Sequence, residues 1–196
     1  MIRTVIGGLL GGIALYITGF IFWGTPLSAL AFHRADAQAS ADLQAAMARA
    51  LTPTGTGVYI VPDPSTAAGT VLFGKGPIAT IHYNVLGFPV TDGSSLIAGL
   101  ILALIVGLLV AIALRTAATD FAGRLRTGLL FAFIAILWMH LGQPIFNHAP
   151  WGYFLYLAFS DFIGLAAAVA VAAKLMEGRA PPVQQTGAED PEHTVH

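Results

Sequence analysis

The chain has 196 residues, of which 56% are hydrophobic and only 10% are charged, and its net charge is −1. Soluble domains carry about 25% charged residues, so a water-soluble fold of this size could not hide so much apolar surface. The near-zero net charge gives no reason to expect nucleic acid as a partner. The absence of cysteine excludes disulfides and thiolate chemistry. The composition therefore predicts an integral membrane protein whose first partner is the lipid bilayer.

Four apolar runs are long enough to form membrane-spanning helices, since a helix needs about 20 apolar residues to cross the hydrocarbon core. We expect an all-α membrane fold, a four-transmembrane-helix bundle with a small extracytoplasmic α+β insertion between helices 1 and 2. The predicted regions are helix 1 at 4–32, the insertion at 33–92, helices 2–4 within 95–175, and a disordered tail at 178–196. Individual runs cover 95–114, 127–142 and 151–173, and Pro144 is expected to close the third. A signal peptide cleaved at Ala29–Ala31 is the alternative for the first run, but signal cores are usually only about 7–15 residues long.

Lysine and arginine are concentrated in one set of short connections, and such residues favour the cytoplasmic side. We therefore expect a multi-pass protein of a bacterial inner (plasma) membrane with both termini in the cytoplasm. Tryptophans near the opposite ends of the spans agree with this orientation, because indole rings prefer the membrane interface. The inverted topology is the alternative. The inner-side residues are Arg3, Arg115, Arg124, Arg126, Lys174 and Arg179, and the tryptophans are Trp23, Trp138 and Trp151.

Three of the four spans carry small residues at every fourth position, a pattern that lets helix backbones approach closely in a membrane. The favoured interpretation is packing within one bundle. The alternative is that one ridge, above all the one in the first span, serves a homo-oligomer or a membrane-protein partner. The glycines expected to pack are Gly7, Gly8, Gly11, Gly12, Gly99, Gly107 and Gly164.

The segment between the first two spans has its own pattern. Residues 37–51 have a helical apolar period and end at a Pro-Gly turn. Residues 58–61, 70–73 and 78–85 read as short strands, the last with clear alternation. We expect a helix followed by a hairpin, too small to hold a strong core of its own.

Asp161 is the residue most indicative of chemistry. It lies about 15 Å into the fourth span, near the membrane midplane, where a carboxylate is costly unless it is paired or protonated. His140 in the third span is its expected partner, because a short loop makes the two helices antiparallel neighbours. Asp161 is either a proton, ion or ligand site or a structural clamp, and His140 is either its partner or a plain interfacial histidine. The polar candidates are Asp161, His140, Gln143, Asn147 and Ser160.

Four histidines fall on the predicted outer side, and imidazole is a common ligand of zinc and related metals. Their spacing fits no recognised ligand pattern, so they remain weak metal candidates. We predict no cofactor. No nucleophile, phosphate-loop or dinucleotide pattern is present in the sequence, which leaves no catalytic residue to assign and favours a protein that is not an enzyme. The four histidines are His33, His82, His140 and His148.

Several short motifs in a fixed order resemble a group of small bacterial four-pass membrane proteins of uncharacterised function. The resemblance covers most of residues 5–175 and implies an architecture without implying an activity. The motifs are a first span with Trp23 and Pro26, a strand at 57–62, a Gly76-Pro77 step, and a last span running from Trp151-Gly152-Tyr153 into Asp161.

Three classes of function stay open at this point. The sequence favours an accessory or interaction component of the cell envelope. A small oligomeric transport or proton-coupled module built on a buried Asp161–His140 pair is the first alternative. A redox- or metal-associated membrane subunit is the second.

Overall fold

The structure is a computed structural model that describes residues 1–117 and 120–177, and most of these residues are helical. The predicted disordered tail at 178–196 lies outside the described residues. The strands are β1 (Gly57–Val61) and β2 (Ala79–Tyr83). The helices are α1 (Ile2–Trp23), α2 (Ala37–Leu51), α3 (Ala67–Lys75), α4 (Gly93–Ala117), α5 (Phe121–Ile136), α6 (Gly142–Asn147) and α7 (Trp151–Leu175).

Four helices within these ranges are long and apolar enough to cross a membrane, which confirms the predicted number. They are α1, α4, the continuous helical stretch Phe121–Asn147 and α7, with lengths of 22, 25, 27 and 25 residues. Each exceeds the roughly 20 residues that a bilayer core requires. Together they fit a multi-pass integral membrane protein.

The first span is shorter than the sequence predicted, since α1 ends at Trp23 and not at Phe32. Pro26 lies just beyond, and a proline disfavours the α conformation of the residue before it and lacks an N–H. The chain instead forms a short 3-10 helix at Pro26–Leu30. The Thr25 hydroxyl supports this corner by donating to the carbonyl of Ile21 at 2.6 Å.

The third span is longer than predicted, because Pro144 does not end it. Helical structure continues through a π-helical turn at Leu137–Leu141 and through α6 to Asn147. Proline is tolerated inside membrane helices when local widening of the helix accommodates the backbone carbonyl that loses its partner. The span ends at His148, whose φ of 51° is left-handed, a conformation that stops a helix.

The chain forms two compact units, one made of Met1–Leu27 with the residues from Gly99 onwards, the other of Ser28–Ala98. In the first unit α7 packs against both α1 and α5. Gly7 and Gly11 face α7, where a methyl group on Gly11 would stand only 2.8 Å from the carbonyl oxygen of Ala168. The backbones of these two helices are therefore in contact.

A second glycine ridge of α1 faces α4. A methyl group on Gly12 would stand 2.5 Å from the Ala103 carbonyl oxygen, and one on Gly8 would stand 2.8 Å from the Leu108 Cα. From the other side, a methyl group on Gly107 would collide with the carbonyl oxygen of Gly8. The two interleaved ridges of α1 thus serve packing within the chain, on two neighbours at once.

The remaining predicted packing glycines have looser surroundings. A methyl group on Gly164 would meet the side chain of Leu15 at 2.9 Å, and this flexible neighbour could move aside. A methyl group on Gly99 would meet the Tyr16 ring at 3.7 Å, which is an ordinary contact. Neither position requires glycine as strictly as Gly12 does.

The second unit contains the small sheet, in which β1 and β2 pair antiparallel from Gly57 opposite Tyr83 to Val61 opposite Ala79. The predicted strand at 70–73 is wrong, because these residues belong to α3, so the two strands are joined by a helix and not by a hairpin turn. The Thr66 side chain caps α3 by accepting from the Gly69 N–H at 2.9 Å. The stabilisation that this cap gives to the helix is larger than the strand preference of the β-branched residues Thr70 and Val71, because that preference depends mainly on packing partners.

The second unit has almost no buried residues: within Ser28–Ala98, Ala31 and Gly69 alone are buried. One face of β1 is open, with Val58 and Ile60 more than half exposed, while Tyr59 on the other face packs its ring on Tyr83. The expectation of a weak core therefore agrees with the structure.

Gly12→Ala is expected to destabilise the bundle by about 1–3 kcal/mol, because its methyl group meets backbone atoms of α4 that cannot rotate away. The matched control is Gly19→Ala on the same helix, where nothing lies within 4 Å of an added methyl group. The control should be neutral or slightly stabilising, since alanine favours helix. Unfolding of the two variants in detergent by titration with dodecyl sulfate measures the difference, and equal stability of both would contradict the packing.

Candidate functional site

The clearest candidate site is a hydrogen-bonded pair between two spanning helices. Nε2 of His140 lies 2.8 Å from Oδ2 of Asp161, so the structure contains the contact expected from the sequence. The His140 side chain is 14% exposed and that of Asp161 is 41% exposed. Asp161 is ten residues into α7, about 15 Å along its axis and about half of a 30 Å hydrocarbon core.

A distorted stretch of helix positions His140. The π-helical turn at Leu137–Leu141 contains this residue and packs against α7. Four residues further on, Pro144 lacks the N–H that would bond to the His140 carbonyl in a regular α-helix. Such π turns are rare, cost regular hydrogen bonding, and frequently occur at functional sites. Here the turn brings the imidazole to the carboxylate of Asp161.

The pair can exist in two net-neutral forms and in two charged forms, one with a proton fewer and one with a proton more. An imidazolium beside a carboxylate and a neutral imidazole beside a carboxylic acid differ only in which partner holds the shared proton. Loss of that proton leaves a single negative charge, which is expensive at membrane depth. The arrangement can therefore bind and release one proton, or it can hold two helices together without releasing any.

The other polar candidates do not bond to this pair. The Asn147 amide donates to Oε1 of Gln143 at 2.8 Å, and both side chains are exposed. Ser160 is buried, but its hydroxyl donates to the Leu157 carbonyl of its own helix at 3.0 Å. The predicted polar stripe therefore continues on a helix beyond Pro144, and Gln143 and Asn147 hydrogen-bond to each other.

The histidines considered for metal binding do not form a cluster. His33 and His82 belong to the second unit, while His140 and His148 belong to the first. Across residues 1–117 and 120–177, no three His, Asp or Glu side chains gather where they could hold a metal ion. In the first unit the partner of His140 is the Asp161 carboxylate.

An aromatic cluster joins the end of α1 to the beginning of α7, and sequence reasoning missed its polar contact. The Tyr156 hydroxyl donates to the Phe22 carbonyl at 2.8 Å, which satisfies an acceptor near the end of α1. The Trp23 ring packs edge-on against the Tyr156 and Tyr153 rings, with centroids 5.2 and 6.4 Å apart. Tyr153 and Tyr156, three residues apart at the start of an apolar span, were the sequence feature that could have indicated this cluster.

The opposite end of the bundle, here called the basic end, carries five cationic side chains: Arg3, Arg115, Arg124, Arg126 and Lys174. The Arg3 guanidinium donates to the Glu177 carbonyl at 2.8 Å, and the Lys174 ammonium lies 5.5 Å from the Phe121 ring centre. Arg124 is the unexpected member, because its residue is only 8% exposed.

Asp120 lies beside these cations, immediately before α5. The Gly123 N–H donates to its carboxylate at 3.0 Å. This hydrogen bond and, less strongly, the positive charges of Arg124 and Arg126 lower the pKa of Asp120 below its ordinary value. Asp120 therefore stays ionised at neutral pH and offsets part of the charge of the basic end. With Glu177 as the other acid, the five cations leave a net charge of +3 among the described side chains of this end.

Comparison with models of known protein families, with curated proteins and with solved structures gave no match. Four helices long and apolar enough to span a bilayer fit a multi-pass integral membrane protein.

Proposed function

We propose that the protein is an accessory or interaction component of a bacterial inner membrane, and that it assembles there with a second membrane helix through the His140–Asp161 face. The observation that carries the proposal is the 41% exposure of the Asp161 side chain halfway along a helix of spanning length. A carboxylate at that depth needs a polar partner, or it must itself be protonated.

The imidazole of His140 covers one oxygen of this carboxylate and leaves the remainder of the side chain accessible. An ionisable group that faces lipid costs several kcal/mol, so such groups in membrane proteins face other helices or water. Polar side chains that hydrogen-bond between helices contribute about 1–2 kcal/mol to their association. A helix from a partner protein, or from a second copy, would supply the missing contact.

The second unit supports the same proposal independently. Its two-stranded sheet has free edges, and Val58 and Ile60 are exposed on one face. Exposed strand edges and apolar strand faces readily pair with other proteins. A segment of this composition without a core of its own gains stability from association.

The proposed orientation places both termini and the basic end in the cytoplasm, with residues 33–92 on the periplasmic side. It is supported by the concentration of arginine and lysine at one end of the bundle. Fusions of alkaline phosphatase after Pro89 and after Lys174 should be active and inactive respectively, because the enzyme folds only outside the cytoplasm. Activity of both fusions, or the reverse pattern, would contradict this topology.

A photoreactive amino acid near the pair is expected to capture the neighbour. Met139, 64% exposed and adjacent to His140, is the labelling position, and Leu109, 60% exposed on α4, is the matched control. In native membranes, Met139→p-benzoylphenylalanine should give a discrete adduct, identified by mass spectrometry as a partner or a second copy. The Leu109 variant should give none.

The same experiment carries its own test of the polar contact. Adding Asp161→Leu to the Met139 variant should reduce the adduct by about fivefold or more, as loss of roughly 1 kcal/mol of association predicts. Size-exclusion profiles of the doubly substituted protein check that the bundle remains folded. Equal adduct with and without Asp161, or adducts at both labelled positions, would contradict assembly through this face.

A proton-coupled module is the second candidate, and the π turn that presents His140 favours it. A structural clamp between helices does not need such a turn, whereas a residue that exchanges a proton benefits from a locally weakened helix. Four helices with one such pair make a poor solitary transporter, so this function too would require an oligomer or a partner.

Asp161→Asn separates the two candidates, because asparagine can keep a hydrogen bond to His140 but cannot gain or lose a proton. In proteoliposomes containing a pH-sensitive dye, a proton-coupled module predicts potential-driven proton uptake that Asp161→Asn reduces to the level of empty vesicles. Uptake at that level for the unmodified protein as well would refute proton coupling. Retention of the Met139 adduct in the Asn variant would then support the interaction role.

A further inference from the structure

A groove runs between α4, α5 and α7 near the basic end of the first unit. Its volume is about 260 Å³, slightly below the roughly 300–1,000 Å³ of pockets that hold drug-sized ligands. The walls are apolar, and Thr127 supplies the single hydroxyl among the lining side chains of the described chain. Examples of the lining residues are Ala113 and Ala117 on α4, Phe131 and Ala135 on α5, and Leu165 on α7.

The shape of the groove fits one extended hydrocarbon chain better than a bulky ring system. It follows α5 from Thr127 to Ala135, eight residues or about 12 Å along the helix axis. The small side chains of Ala113 and Ala135 keep it open, and both residues are exposed. In a bilayer such a space cannot stay empty without loss of packing, and it excludes water because it is apolar.

A buried cation lies where the groove meets the basic end. Arg124, Gly128 and Ala132 are all buried and recur at four-residue spacing on one face of α5, and the latter two line the groove. Arg124 therefore lies one helical turn beyond the groove on the same face. With the net charge of +3 at this end, the local charge favours an anion at the mouth of an apolar slot.

We propose that this groove is a binding site for an anionic glycerophospholipid, with one acyl chain between α4 and α5 and the phosphate at the Arg124 guanidinium. The guanidinium suits a phosphate because it offers several N–H donors in a planar fork. Basic pockets between membrane helices are known to take anionic headgroups. The proposal is independent of the function of the His140–Asp161 pair.

The test uses the full-length protein in bilayer nanodiscs of phosphatidylcholine with a photoreactive phosphatidylglycerol that carries a diazirine on its acyl chain. Labelling is expected to map to peptides of α4 and α5 that line the groove. Arg124→Gln should weaken the apparent affinity by about fivefold, the effect of removing one cation near a membrane phosphate. Arg126→Gln is the matched control, because it removes the same charge from the exposed face of the same helix.

A second pair of variants tests the groove and leaves every cation in place. Ala113→Leu fills the slot and should abolish labelling of its walls, whereas Ala122→Leu, on an exposed alanine outside the groove, should not. If Arg124→Gln does not fold, two other single variants still test the site. Ala113→Leu tests the groove, and Arg124→Lys tests whether phosphate binding needs the planar guanidinium. If Arg124→Gln and Arg126→Gln lose the same apparent affinity for the lipid, the effect is one of surface charge alone, and the proposed site is wrong. Equal labelling by a photoreactive phosphatidylcholine would overturn the preference for an anion.

Discussion

The bundle depends on the close approach of helix backbones at the glycines of α1. Lipid solvates apolar side chains as well as a protein interior does, so helices in a membrane gain little by burying leucine against leucine. What remains is contact between backbones, and α1 makes it on two sides, through Gly7 and Gly11 with α7 and through Gly8 and Gly12 with α4. Because glycines in adjacent positions point about 100° apart on a helix, a doubled GxxxG pattern lets one helix serve two partners.

Asp161 of the polar pair lies on α7, the helix that α1 packs along. α7 packs against both α1 and α5, and the Asp161 side chain on this helix is 41% exposed beside these contacts. The π turn in the third span then brings His140 into reach. A polar contact at membrane depth is less favourable in free energy than apolar packing of similar volume. Proteins that contain such a contact commonly use it for recognition or proton transfer.

The membrane architecture could be predicted from sequence, but its local geometry could be predicted only in part. Length and hydropathy identify four spans, because crossing a bilayer imposes a minimum apolar length. The contact between His140 and Asp161 follows from a short loop and antiparallel helices. By contrast, the expectation that Pro144 ends the third span failed because a π turn lets the helix continue, and whether a helix widens depends on what it packs against. Thr70–Phe73 read as a strand, since a four-residue apolar run cannot distinguish strand from helix without its Thr66 cap.

The groove and the polar pair occupy adjoining parts of α5 and α7. Leu165 lines the groove and lies one turn from Asp161 on α7, while Ala135 lines it from the other wall, five residues before His140. Five residues is about one turn where the helix has π geometry. The groove therefore ends about one turn from the pair on both helices. Because the two sites use adjoining turns of the same helices, a substitution on α5 or α7 can disturb both of them, whereas Ala113→Leu fills the groove from α4 and leaves both helices that carry the pair unchanged.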